Sequence, residues 1–297
     1  MNAALSTMWG IKKFATLDEF FRQSTTLGFT RFELNHAVDS QMLNGMNGYR
    51  IASVHEPCPA DVSVSELKNR DWLISSTNED NRRHGVAAIR RSIDLAYKFG
   101  APAVIVHPGK IDIDETPDDQ LRDLYRQGKA NSPEYAYIKE QFISARAAQA
   151  RMNMSSVRQS VIELAEYAGE RNIKLGLENR YHFFEIPLPD EVEELLNLGF
   201  DNVGFWYDVG HAETLDQMGF LPHEEWLKRL APRIIGTHLH DVIGIDDHQY
   251  PGSGHVDWAM VARYLPADAL RTCEFQNFNS PEQVIAGVRW LEEKGCL

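Results

Sequence analysis

The chain has 297 residues, 43% hydrophobic and 25% charged, enough to bury a large core without staples. Its three cysteines, Cys58, Cys273 and Cys296, are scattered without a CxxC spacing, so neither a zinc ribbon nor a disulfide framework is expected. A net charge of -13 weighs against non-specific nucleic-acid binding, and residues 1–10 carry neither a basic leader nor a long apolar run; the expectation is a cytoplasmic chain without a signal peptide or membrane span.

Short apolar runs alternate with amphipathic stretches along the chain. The first run covers 5–9, and a helical stretch over 17–27 stops at Gly28, a natural C-cap. Runs at 30–35 (TRFELN) and 50–55 (RIASVH) follow, with a short helical segment expected at 39–47 between them. A helix over 86–99 stops at Gly100, and the next run is 103–107 (AVIVH). Residues 110–152 break the period, opening with an acidic, Pro-containing piece at 112–119 and continuing as polar helix. An amphipathic helix at 157–168 leads to runs at 173–179 (IKLGLEN), 203–208 (VGFWYD) and 234–240 (IIGTHLH). A short segment at 257–264, a last run at 271–275 (RTCEF) and a helix over 281–294 complete the chain.

Strands separated by helices imply right-handed βαβ units and a parallel sheet. Eight such units predict an α/β fold, a (β/α)8 TIM barrel forming a single domain over 1–297, with a long helical insertion after the fourth strand at about 110–152. Such an insertion projects from the face where barrel active sites form. A lid, an oligomer arm and a solvated decoration are all open for it.

Buried parallel strands should be apolar throughout, yet nearly every one here ends in a metal-ligand type. These are His55, His107, Glu178, Asp208 with His211 after it, His238, Asp246 and His248 in the following loop, and Glu274. A barrel gathers such ends at one mouth. Carboxylates crowded there would repel one another unless a divalent cation joined them. Mixed imidazole and carboxylate donors suit zinc, manganese, iron or cobalt better than calcium. His240 alternates with His238 and is expected to face substrate or to back a ligand. Glu33 and Glu56 could back the ligands, with surface or capping roles the plainer reading. Trp9, Trp206 and Trp258 could wall a sugar pocket, with core packing the plainer reading.

From the second strand to the last helix, the chain resembles the xylose isomerase-like TIM barrel superfamily. The resemblance rests on HPG at His107, LEN at Glu178, DVGH from Asp208, HLHD from His238, PGSGHVDW from Pro251 and CEF around Glu274. Its epimerase branch implies one metal on Glu178, Asp208, His238 and Glu274, with the two glutamates moving protons and His211 binding the sugar. That branch often has an arginine shortly after the seventh-strand histidine, where this chain reads Val242, Ile243, Gly244. Its AP endonuclease branch implies three zinc ions on His55, His107, Glu178, Asp208, His211, His238, Asp246, His248 and Glu274. The N-terminal strand lacks that branch's histidine-containing opening, and no DNA-reading loops rich in arginine and aromatics are evident.

The resemblance implies a sugar or polyol isomerase or epimerase, dependent on zinc or manganese, with two or three ions compatible with the ligand set. Proton transfer by Glu178 and Glu274 would pass through a metal-stabilised enediolate. The alternatives are a keto-polyol dehydratase, a zinc-dependent phosphoester hydrolase and a non-catalytic sugar-binding barrel. The expected partner is a small sugar or polyol, with homo-oligomerisation open.

Overall fold

The computed structural model describes residues 2–297. Its strands, in chain order, are β1 (Ala4–Ser6), β2 (Arg31–Leu34), β3 (Arg50–His55), β4 (Ala103–Val106), β5 (Lys174–Glu178), β6 (Val203–Asp208), β7 (Ile234–Leu239), β8 (Asp241–Ile243), β9 (Asp246–Gln249) and β10 (Leu270–Cys273). All but β8 and β9 form a closed parallel barrel, sealed where β1 pairs with β10 through Ala4–Thr272 and Leu5–Cys273. β8 and β9 form a separate antiparallel hairpin after β7.

The helices are α1 (Leu17–Thr26), α2 (Val64–Asn69), α3 (Glu79–Phe99), α4 (Thr116–Arg126), α5 (Pro133–Gly169), α6 (Pro189–Leu196), α7 (Val209–Gln217), α8 (His223–Leu230), α9 (Trp258–Tyr264) and α10 (Pro281–Lys294). No helix among the described residues is long and apolar enough to cross a membrane.

Local chemistry moves several boundaries away from the pattern in the sequence. The first strand is short because the Ser6 side chain accepts from the Met8 amide and opens a 3-10 turn over Thr7–Trp9. The expected helix at 39–47 is a run of turns. Asp39 accepts from the Met42 amide there, and Gly45 and Gly48 have φ of 77° and 83°. α3 begins before the apolar period because Asn78 caps it through the amides of Asp80 and Asn81. The insertion holds α4 and the first part of α5, and the helix expected at 157–168 is the last part of that same 37-residue helix, capped by Ser132 with Pro133 in its first turn.

Strand alternation sorts the side chains. Leu175, Leu177, Phe205, Tyr207 and Leu239 face the helix layer and join the main core. Ala103, Ile105 and Trp206 form a small plug inside the barrel. Trp206 fits only because its neighbours are glycines: a Cβ on Gly236 would lie 2.1 Å from its ring, and one on Gly176 2.8 Å. The next inward positions above this plug are strand-end polar residues.

Candidate metal centre

Two-residue periodicity delivers the polar groups to the mouth. Glu178 stands two positions above Gly176, Asp208 two above Trp206, and His238 two above Gly236, each on the inward face. Their ligand atoms converge. Glu178, Asp208, His238 and Glu274 each offer one atom, all within 4.8 Å of one another, and all four are buried. His238 Nδ1 lies 2.6 Å from Glu178 Oε1, 3.2 Å from Glu274 Oε2 and 3.4 Å from Asp208 Oδ2.

Among the described residues four further groups overlap or adjoin this one, and two of them lie on its flanks. His107 Nε2 is 2.8 Å from Glu178 Oε2, with His55 Nε2 3.7 Å from the same oxygen and 3.1 Å from His107 Nε2. On the other side, His211 Nε2 is 3.7 Å from Asp247 Oδ2, and Asp247 Oδ1 is 2.8 Å from His248 Nδ1. Each trio has ligand atoms within 4.8 Å of one another. His248 Nε2 reaches Glu274 Oε2 at 3.6 Å, and His240 Nε2 reaches Asp208 Oδ1 at 3.0 Å.

Electrostatics hold this crowd together. Burial alone would suppress charge on His238, but Glu274, Glu33 and Glu178 around it raise its pKa well above the ordinary imidazole range. Burial would likewise neutralise Glu178. His238 and Arg180 outweigh it and hold the carboxyl well below its usual value. For Asp208, burial is outweighed by His211 and His240. Cations therefore stabilise the carboxylates, and a divalent ion would serve the same purpose. The donor set of three carboxylates around a central imidazole fits such an ion.

The family described as a xylose isomerase-like TIM barrel matches residues 21–294. The chain belongs to that family. Among its relatives is protein y4fM of Sinorhizobium fredii, 29% identical over 251 residues, or 83% of this chain and 66% of that protein. The chain thus spans just under two thirds of that relative's length. Solved structures of this xylose isomerase-like barrel include one described as a D-tagatose 3-epimerase-like protein, with a TM-score of 0.69, 22% identity and 99% and 97% of the two chains covered. Another is 3-keto-D-glucoside 4-epimerase, YcjR, from E. coli, with a TM-score of 0.67, 15% identity and 99% of each chain covered. At these identities they establish the shared xylose isomerase-like fold.

Within this family's frame, the structure brings together Glu178, Asp208, His238, Glu274, His55, His107, His211, His248 and His240. Asp246 departs from the expectation. Its carboxylate is 64% exposed and bound to Arg126 at 3.0 Å, while the neighbouring Asp247 enters the cluster. Register explains this: Asp246 pairs with Ile243 on the exposed end of the hairpin.

Of the three tryptophans that could wall a sugar pocket, Trp9 and Trp206 take the plainer reading and pack in the core. Trp206 lies wholly inside the barrel, edge-on to His238. Trp9 is buried beside Phe14 and Phe20, and its indole donates to the Asn279 carbonyl at 2.8 Å. Neither lines the cavity at the mouth. Trp258 donates to Asp241 at 3.0 Å, and Asp241 also accepts from the Gly252 and Val256 amides. The aspartate of HLHD therefore anchors the PGSGHVDW turn.

Glu33 and Glu56 are buried, contrary to surface or capping roles. Glu33 accepts from Ser53 at 2.7 Å and stands 3.2 Å from His238 Nε2; Glu56 accepts from the His107 amide at 2.9 Å. The alternation Phe32-Glu33-Leu34 carried the signal for Glu33. Arg180 went unrecognised: its Nη1 lies 2.5 Å from Glu178 Oε2. It follows the fifth strand, whereas the resemblance directed attention to the seventh.

The insertion is built into the rim. Arg146 of α5 donates to the carbonyls of Phe183 and Glu185 and pairs with Glu191, and Arg122 of α4 donates to the Tyr181 carbonyl. Asp118 Oδ2 holds His182 Nδ1 at 2.6 Å. Together these contacts fix residues 180–185 over the mouth.

Proposed function

We propose that the protein is a divalent-metal-dependent sugar or polyol isomerase or epimerase. The observation that carries this reading is the placement of Glu178 and Glu274 about one buried imidazole, with ligand atoms within 4.8 Å. The sugar-epimerase descriptions of proteins with this fold agree with it. A divalent ion, zinc or manganese, held by Glu178, Asp208, His238 and Glu274 would supply Lewis acidity toward neighbouring substrate oxygens. One glutamate removes the proton beside the substrate carbonyl, and the other returns a proton from the opposite side. His240 orients Asp208, Glu33 orients His238, and Asn179 ties β5 to β6 through both polar groups of the Asp208 backbone. His211, on the first turn of α7, faces the substrate cavity.

The test is solvent isotope exchange. Zinc- or manganese-loaded protein incubated in D2O with a panel of ketohexoses and keto-polyols should incorporate deuterium beside the carbonyl, and Glu274→Gln should abolish it. Exchange at the normal rate in Glu274→Gln would overturn the role given to that glutamate.

The two flanking groups, His55–His107–Glu178 and His211–Asp247–His248, favour one second reading: a multi-metal phosphoester hydrolase. Two or three tightly held zinc ions together with cleavage of an abasic-site duplex would support it. A single ion with proton exchange on sugars would exclude it.

A further inference from the structure

We propose that the substrate carries an anionic group, a carboxylate or a phosphate, received by Arg180 and Lys68 on the rim of the cavity. This deepens the reading above and rests on Glu178 serving as a metal ligand.

The cavity over the cluster has a volume of about 300 Å³, and its wall includes Lys68, Arg180 and Glu185. Lys68 Nζ lies 3.0 Å from Glu185 Oε1, and Arg180 Nε lies 3.7 Å from Glu185 Oε2. Glu185 is fixed in place. Its carbonyl accepts from Arg146 at 3.0 Å, its side chain is 3% exposed, and its residue bridges to Lys110. One carboxylate thus anchors two cations from separate elements, α2 and the segment after β5.

Arg180 has a second partner, Glu178 Oε2, at 2.5 Å, the oxygen that His107 Nε2 also approaches at 2.8 Å. A divalent ion held by Glu178 would draw on the same carboxylate charge that the guanidinium uses. Glu185 would then be the one carboxylate beside Arg180 and Lys68 that lies outside the metal-capable groups, a single negative charge shared by two cations. The other carboxylates lining the cavity, Glu274 and Asp247, belong to the metal-capable groups and face His238 and His248. Arg180 is only 12% exposed and its Nε already lacks a hydrogen-bond partner. A guanidinium so deeply placed and only partly compensated is costly. A substrate anion removes that cost, and the planar guanidinium fork matches carboxylate and phosphate oxygens. Lys68, 39% exposed, supplies the outer half of the receptor.

The experiment is calorimetric titration of manganese-loaded protein, with metal content measured in every variant. The probes are three six-carbon compounds: D-glucitol, D-gluconate and D-glucitol 6-phosphate. At least one anionic probe should bind roughly tenfold or more tightly than glucitol, the scale of a charge-assisted hydrogen bond. Preference for gluconate identifies a carboxylate, and preference for the phosphate ester identifies a phosphate. Lys68→Met should erase most of that preference while leaving glucitol binding in place; Arg180→Gln should also erase it, read as the ratio of anionic to glucitol affinity because Arg180 touches Glu178 as well. Glu185→Gln, which removes the competing anion, should enlarge it. Equal or absent binding of the three probes by metal-loaded protein overturns the inference alone. So does an anionic preference that survives both Lys68→Met and Arg180→Gln, because the metal would then account for it. A protein that takes up no metal overturns both the inference and the reading beneath it.

Discussion

The imidazole of His238 lies 2.6 Å from the carboxylate of Glu178, although the two stand 60 residues apart in the chain. β6 separates their strands in the barrel, and both side chains are fully buried. An ion pair this buried gains from further partners, and Asp208, Glu274 and Glu33 surround it. A bound divalent ion would link the same groups and favour the folded state. Chelation of metal-loaded protein should therefore lower its melting temperature by about 5 °C, from a linkage contribution of roughly 3–4 kcal/mol at saturating metal. Differential scanning calorimetry with and without chelator measures this. Equal melting temperatures would contradict it.

Gly236 makes the barrel plug fit. A Cβ there meets the Trp206 ring at 2.1 Å, and the ring is boxed in by Ala103 and Ile105. Gly236→Ala should destabilise the protein by about 2–3 kcal/mol through overpacking. It should also disturb His238, whose ring centroid is 5.4 Å from that of Trp206. Thermal unfolding checks the first effect, and metal affinity checks the second. An unchanged melting temperature would show that the plug yields easily.

Arg146 closes the insertion onto the rim. It is 4% exposed and serves the carbonyls of Phe183 and Glu185 and the Glu191 carboxylate. Arg146→Ala strands these acceptors, at a cost of about 3 kcal/mol. Limited proteolysis should then cut within 180–188 while the wild-type protein resists. Equal resistance would show that the clamp is redundant.

Asp118 gives the insertion an acid limit. Burial would raise its pKa, but the bond to His182 and the charge of Arg122 outweigh that and hold it below the ordinary 3.8. A depressed carboxylate stabilises the fold fully above its unfolded pKa, and that contribution is lost as pH falls from there through the folded value. Asp118→Asn should therefore be less stable than wild type at pH 7, with the difference shrinking below about pH 4. Urea unfolding at pH 7, 5 and 3.5 tests this. A difference that grows toward acid would reverse the sign.

The barrel was legible in the sequence because buried strands and capped helices carry local signals. The strand-end groups stood out jointly: one such carboxylate or imidazole has ordinary structural reasons to be there, but several gathered at one mouth would repel without a shared cation. What escaped depends on pairing. The choice between Asp246 and Asp247 is set by hairpin register, with Ile243 opposite Asp246, which spacing alone does not fix. Glu33 reads as a strand residue of ambiguous face until Phe32 and Leu34 are seen to face the helices. Trp206 resembles a pocket wall until glycines on both neighbouring strands make room for it inside. α5 runs through the expected end of the insertion because no glycine or proline interrupts it between Pro133 and Gly169.

Metal analysis of Glu178→Gln beside the wild-type protein, each dialysed after exposure to zinc and manganese, bears most directly on the account. Wild type should retain at least about one ion per chain. Glu178→Gln should retain much less, because this carboxylate belongs to two of the metal-capable groups. A folded wild-type protein that emerges without bound metal would contradict the account.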